Sequence, residues 1–217
     1  MNIIILIIAI TAIVTFMVPN GSINFEKYKF NVGAIMYRKE YIRLLSSGFL
    51  HADFMHLLFN MMTLYFFGPV ILQGFGNLGF LLIYFGAILL GNIFSLFIYQ
   101  KQSWYSAIGA SGGVSGILFA AIALAPQIGI YFFFIPIPIP GFIFGLLYFS
   151  YSVYMMLNPR MNDNIGHAAH LGGAFFGLVY AIIIQPESAI QNSLFTGIMS
   201  LPLIYLAYEI FIKKRIG

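Results

Sequence analysis

The 217-residue chain is 61% hydrophobic, carries only 7% Asp, Glu, Lys and Arg, and has a mean hydropathy of +0.94, whereas an ordinary soluble domain has roughly 25% charged residues. This excludes a soluble globule, which could not hide so much apolar surface. The absence of cysteine excludes disulfides, thiolate metal sites and a cysteine nucleophile, and the net charge of +4 sits in loops and the C-terminal tail, where lipid headgroups account for it better than nucleic acid does.

A helix needs about 20 apolar residues to span a bilayer, and such runs follow one another here. Residues 2–18 form the first; with no basic n-region and no A-x-A-like site, the run reads as a retained helix rather than a signal peptide. Residues 19–50 are a polar connection too long for a turn, carrying Glu26, Lys27, Lys29, Arg38, Lys39, Glu40 and Arg43. The second span covers 51–72 and ends at the helix-breaking glycines of Gly74-Phe75-Gly76-Asn77. The third covers 78–99 and the fourth 108–126. The alternating prolines of 135–141 cannot be helical, because each removes a donor and restricts its predecessor, so this stretch reads as a stiff apolar connection. A fifth span covers 141–157, a polar loop 158–166, a sixth span 167–185, and a seventh 194–212 with a kink expected at Pro202. The expected fold is an all-α polytopic membrane helix bundle: a six-helix core over residues 1–185, with its long first loop at 19–50, and an additional segment over 186–217 with a seventh helix and a basic tail.

Polar side chains within a bilayer are costly, so each is a functional hypothesis. The starts of the second, fourth and sixth spans lie on one side of the membrane, and there His51, Asp53, His56, Asn60, Ser111, Ser115, His167 and His170 cluster. His56 and Asn60 share a helical face. Ser111 is expected one turn into its span, within Gly109-Ala110-Ser111-Gly112-Gly113, where missing side chains admit close approach and a helix N-terminus stabilises negative charge. His170 precedes Gly173 and Gly177, a GxxxG pattern suited to tight helix packing. A hydroxyl nucleophile needs a base, usually histidine, and its tetrahedral intermediate needs donors such as histidine and asparagine. Ser111, His170, His56 and Asn60 supply that set. Taken singly, each also reads blandly: a packing serine, an interhelical hydrogen bond, a satisfied buried histidine. His51 and His167 read as structural, within reach of water near helix ends, and Glu209 as an interfacial residue beside Lys213. No HExxH and no suitably placed carboxylate accompany the histidines, so no metal is expected.

These residues resemble the rhomboid family in three ordered segments: His51-Ala52-Asp53-Phe54-Met55-His56-Leu57-Leu58-Phe59-Asn60, Gly109-Ala110-Ser111-Gly112, and Ala169-His170-Leu171-Gly172-Gly173 continuing to Gly177. The resemblance implies an intramembrane serine protease that hydrolyses transmembrane protein substrates within the lipid bilayer and uses no cofactor. It makes Ser111 the nucleophile and His170 its base, without a carboxylate third member. His56, Asn60 and the Ser111 amide would form the oxyanion hole. Gly109, Gly112, Gly173 and Gly177 would support the site, as would Arg43, which with Glu40 stands at the expected distance before His56 in the first loop. Ile42 stands where many members have tryptophan, and Ser115 where an aromatic often packs beneath the histidine. The alternatives are a rhomboid-like protein without proteolytic activity that binds membrane helices, and a transporter or channel. The bacterial style of the sequence points to the plasma membrane. All ten Lys and Arg residues fall on one side under alternating spans, which the positive-inside rule makes cytoplasmic. The resemblance places the site's mouth on that side and, in bacterial members, outside the cell; it is given the greater weight.

Overall fold

In the computed structural model the described residues are 2–18, 21, 23–132, 135–160, 163 and 165–216; Pro19, the start of the first loop, lies outside them. Helix α1 (Ile3–Met17) begins where the Asn2 side chain accepts the Ile4 amide at 2.9 Å. The first loop then proves to be folded. It holds α2 (Phe25–Tyr28), β1 (Phe30–Asn31), α3 (Val32–Arg38), α4 (Arg43–Ser46) and a 3-10 turn over Ser47–Phe49. Asparagines set these breaks: Asn24 caps α2 at the Lys27 amide and Asn31 caps α3 at the Ala34 amide. Strand β1 pairs antiparallel with β2 (Ser106–Ala107), and Asn31 Nδ2 donates to Ser106 Oγ at 3.0 Å, so the loop is fastened to the segment leading into Ser111.

Helix α5 (Phe54–Tyr99) has 46 residues, roughly 70 Å at 1.5 Å per residue and far more than a hydrocarbon core of about 30 Å requires. Gly76, at φ 66° and ψ −175°, breaks it where glycine alone is at ease and divides it into the second and third spans. Next come α6 (Ser111–Leu124), β3 (Gly129–Phe132), β4 (Ile135–Pro140), α7 (Gly141–Leu157), α8 (His167–Ile184), α9 (Pro186–Gln191) and α10 (Ser193–Phe211).

The connection over 135–141 is thus not a lone stiff strap: β4 pairs antiparallel with β3, Ile130 lying opposite Ile139. In a strand, alternate amides point to opposite edges. The prolines therefore lose their donors along one edge only, and the intervening isoleucines keep theirs along the other. Apart from two such short ladders, the described residues form an all-α bundle. By length and composition α5, α8 and α10 can cross a membrane, and α1, α6 and α7 are shorter apolar helices. Pro202 lies within α10 without ending it.

Helices α5, α6 and α8 meet at the centre of the core, to which α1, α7 and α10 add further buried side chains. The backbones of α6 and α8 meet so closely that a Cβ on Gly173 would overlap the Gly112 carbonyl and one on Gly177 the Gly116 carbonyl. Opposite them, Gly113 lies against Tyr84 and Ile88 of α5. Helix α7 instead pairs in parallel with α10 through Phe142–Phe195 rings 4.9 Å apart and Met199 over Gly145. At the far end of that pair Arg215 donates to the Leu157 carbonyl at 3.3 Å. Glu209 is buried and accepts from the exposed Lys213 at 3.1 Å.

Candidate active site

Ser111 is the first residue of α6, not one turn inside it as the sequence suggested. Its amide is therefore among those at a helix start that have no intrahelical acceptor, the end at which a helix stabilises negative charge. The turn before it requires glycine twice over: Gly109 has φ 122°, and a Cβ there would sit 2.7 Å from the His56 ring. That turn hangs from the first loop by the Gly109 amide, which donates to the Ser47 carbonyl at 3.0 Å.

His170 lies one turn into α8, and its Nε2 is 2.6 Å from Ser111 Oγ. The Gly112–Gly173 contact directly below fixes the spacing of the two helices at that level. For the hydroxyl to donate to Nε2, the neutral ring must carry its proton on Nδ1. Asp163 does not reach this ring and bonds instead to His167 Nε2 at 2.9 Å.

His56 stands on the other side of the Ser111 turn. Its amide is fixed by the Asp53 cap at 2.8 Å, and its carbonyl accepts Asn60 Nδ2 at 2.9 Å. The amide group of the buried Asn60 has two N–H donors, of which this bond uses one. A cavity of about 790 Å³ opens beside His56, bounded by Ala52, Tyr99, Trp104, Arg160, Asp163 and His167 among others. It lies at the same end of the bundle as the Ser111 turn. Among the described residues no three His, Asp or Glu side chains are arranged to hold a metal ion.

The structure thus gathers Ser111, His170, His56, Asn60, Gly109, Gly112 and Gly173 at one end, with Gly177 a turn deeper between α6 and α8. Arg43 lies apart from them. It is buried in the first loop, where Nε donates to Glu40 at 2.6 Å and Nη1 to the carbonyls of Glu26 and Lys29 at 2.7 and 2.8 Å.

His51 and His167 each bond to protein groups, His167 through Nε2 to Asp163. The Ala110 amide can only donate, so His51 Nε2 accepts it (3.3 Å) and Nδ1–H donates to Thr15 Oγ1 (3.1 Å), whose hydroxyl donates to the Phe49 carbonyl (3.1 Å). His51 thereby ties α1 to the turn before Ser111. Sequence reasoning missed this link, and equally Asn92, whose Nδ2 supports the first loop at Leu44 O (2.8 Å) and Ser47 Oγ (3.0 Å). A polar residue inside an apolar run, such as Asn92, was the available signal; the Ala110 amide gave none.

Residues 38–187 match the rhomboid domain, more than half of the chain, and the chain belongs to the rhomboid family. It is 32% identical over 146 residues to RHOMBOID-like protein 12, mitochondrial, of Arabidopsis thaliana, covering 60% of this chain and 43% of that one. To Rhomboid protein 1, mitochondrial, of Saccharomyces cerevisiae it is 30% identical over 152 residues, 66% of this chain and 42% of the other. To the Bacillus subtilis protein named "Putative rhomboid protease YdcA" it is 30% identical over 146 residues, 66% and 67% of the two. The chain spans less than half the length of the first two relatives. Family and apolar helices together make it an integral membrane protein; with mitochondrial relatives foremost, they give no support to the bacterial plasma membrane expected from the sequence.

Proposed function

We propose that the protein is an intramembrane serine protease that cleaves peptide bonds in or beside transmembrane segments of membrane proteins, with Ser111 and His170 as its dyad. The observation that carries this reading is the 2.6 Å contact between His170 Nε2 and Ser111 Oγ at the start of α6. His170 takes the hydroxyl proton as Ser111 attacks the scissile carbonyl. The oxyanion is received by the first amides of α6 together with His56 and the second N–H of Asn60. His170 then returns the proton to the leaving amine, and water from the neighbouring cavity hydrolyses the acyl-enzyme with His170 again as base. A helical substrate must unwind locally to offer its carbonyl, which favours helix-destabilising residues at the cut.

The relative named as a rhomboid protease supports this reading. The rival is a family member that binds membrane helices without cleaving them. In proteoliposomes with a transmembrane reporter, Ser111→Ala and His170→Ala should each lower cleavage by at least about 10³-fold. Undiminished cleavage by Ser111→Ala would overturn the dyad, and an inert unmodified protein that still binds the reporter would favour the rival.

A further inference from the structure

Ser115, on α6 one turn after Ser111, is buried and offers His170 no ring. A ring reaches His170 from another helix. Tyr148 of α7 lies with its ring centroid 6.4 Å from that of His170 and the two planes 24° apart, an offset stacked arrangement. Its hydroxyl is held at 3.0 Å by Ser115 Oγ. The same ring also meets Phe119 of α6 at a tilt, 5.3 Å between centroids, and the next residue, Phe149, stacks on Phe119 at 4.2 Å. Tyr148 is thus fixed at its hydroxyl by the helix of Ser111 and presents its face to the ring on α8.

We propose that Tyr148 is the positioning residue for His170: its ring, anchored by Ser115, sets the imidazole plane so that Nε2 points at Ser111 Oγ. This rests on the dyad reading above and extends it, because it makes α7 part of the site. Rotation of His170 about its side-chain bonds is limited by the rings beside it: among the described residues His167 meets it edge-on, at 6.4 Å and 68°, and Tyr148 lies nearly parallel to it, at 6.4 Å and 24°. A small residue at 115 is what leaves space for a phenol arriving from α7. Any displacement of α7 would then slacken the base before it disturbed the glycine-packed α6–α8 contact, so the seating of α7 is read out at the dyad.

The test measures kcat and KM for a transmembrane reporter in proteoliposomes, with melting temperature as a fold control. Tyr148→Leu, which keeps apolar bulk without a ring, should lower kcat by roughly 10- to 100-fold, the cost of a small misplacement of a reacting group, with KM little changed. Tyr148→Phe, which keeps the ring and loses only its bond to Ser115, should fall between Tyr148→Leu and the unmodified protein. Moving the ring to α6 in the double variant Ser115→Tyr with Tyr148→Ala should recover kcat relative to Tyr148→Ala alone. Unmodified kcat in Tyr148→Leu overturns the positioning role while leaving the protease reading intact. A loss shared equally by Tyr148→Phe and not recovered by the relocated ring overturns it too, since the residue would then act only through the fold. An unmodified protein that cleaves nothing overturns both.

Discussion

Helices α6 and α8 meet backbone to backbone, whereas α7 and α10 meet the bundle through rings and a methionine. Half of the apolar window of α8 is buried, but only 22% of that of α10. Between α6 and α8 the Gly112–Gly173 and Gly116–Gly177 contacts leave no atom to remove and no room to add one. Between α7 and its neighbours, Phe119, Phe149, Met199, Phe142 and Phe195 fill the space with side chains that can change rotamer. The difference separates two tasks. Ser111 and His170 are carried on the rigid pair, while α7, which presents Tyr148, is seated by interlocking side chains.

The comparison can be broken most severely at the rigid pair. Gly173→Val places side-chain atoms into the Gly112 backbone, and because backbone cannot yield as a side chain does, the cost should reach at least about 3 kcal/mol, the upper part of the overpacking range. The measurement is thermal unfolding in detergent, and a near-normal melting temperature would contradict the close packing. Arg43→Ala comes next. It removes charged hydrogen bonds to Glu26 and Lys29 carbonyls in the first loop and should destabilise by about 1.5–3 kcal/mol, with proteolytic nicking of the loop as a second readout.

A pH effect follows from Glu40. Hydrogen bonds from Arg38 and then Arg43 hold its carboxyl below the usual glutamate range, so the stability it contributes is complete above the ordinary value of about 4.3 and is lost as pH falls through the lowered one. The melting temperature should therefore fall more steeply on acidification in the unmodified protein than in Glu40→Gln, and equal slopes would dismiss the effect. The smallest change is expected beyond the end of α10. Arg215→Ala frees the end of α10 from the Leu157 carbonyl and should alter stability by at most about 0.5 kcal/mol, measured in the same unfolding assay.

Much of this was legible in the sequence because hydropathy and punctuation carry spans well. Gly76 ended the second span as its neighbourhood suggested, and α7 occupies residues 141–157 as read. Ser111, His170, His56 and Asn60 could be picked out because a polar residue in an apolar helix is conspicuous. What escaped was everything decided by partners distant along the chain. The proline run became a strand only because β3 lay beside it. The first loop acquired its fold from Arg43 reaching carbonyls 14 and 17 residues away and from β1 meeting β2. Tyr148 was one tyrosine among 14; nothing local marks the one whose ring faces His170.

The proposed protease activity requires Ser111 to be a nucleophile activated by His170. The most direct measurement is reaction of the detergent-solubilised protein with a fluorophosphonate, followed by mass spectrometry of the modified peptide. A single adduct on Ser111 is expected, forming at a rate sharply reduced in His170→Ala. Absence of an adduct on Ser111, or an equal rate without His170, would contradict it.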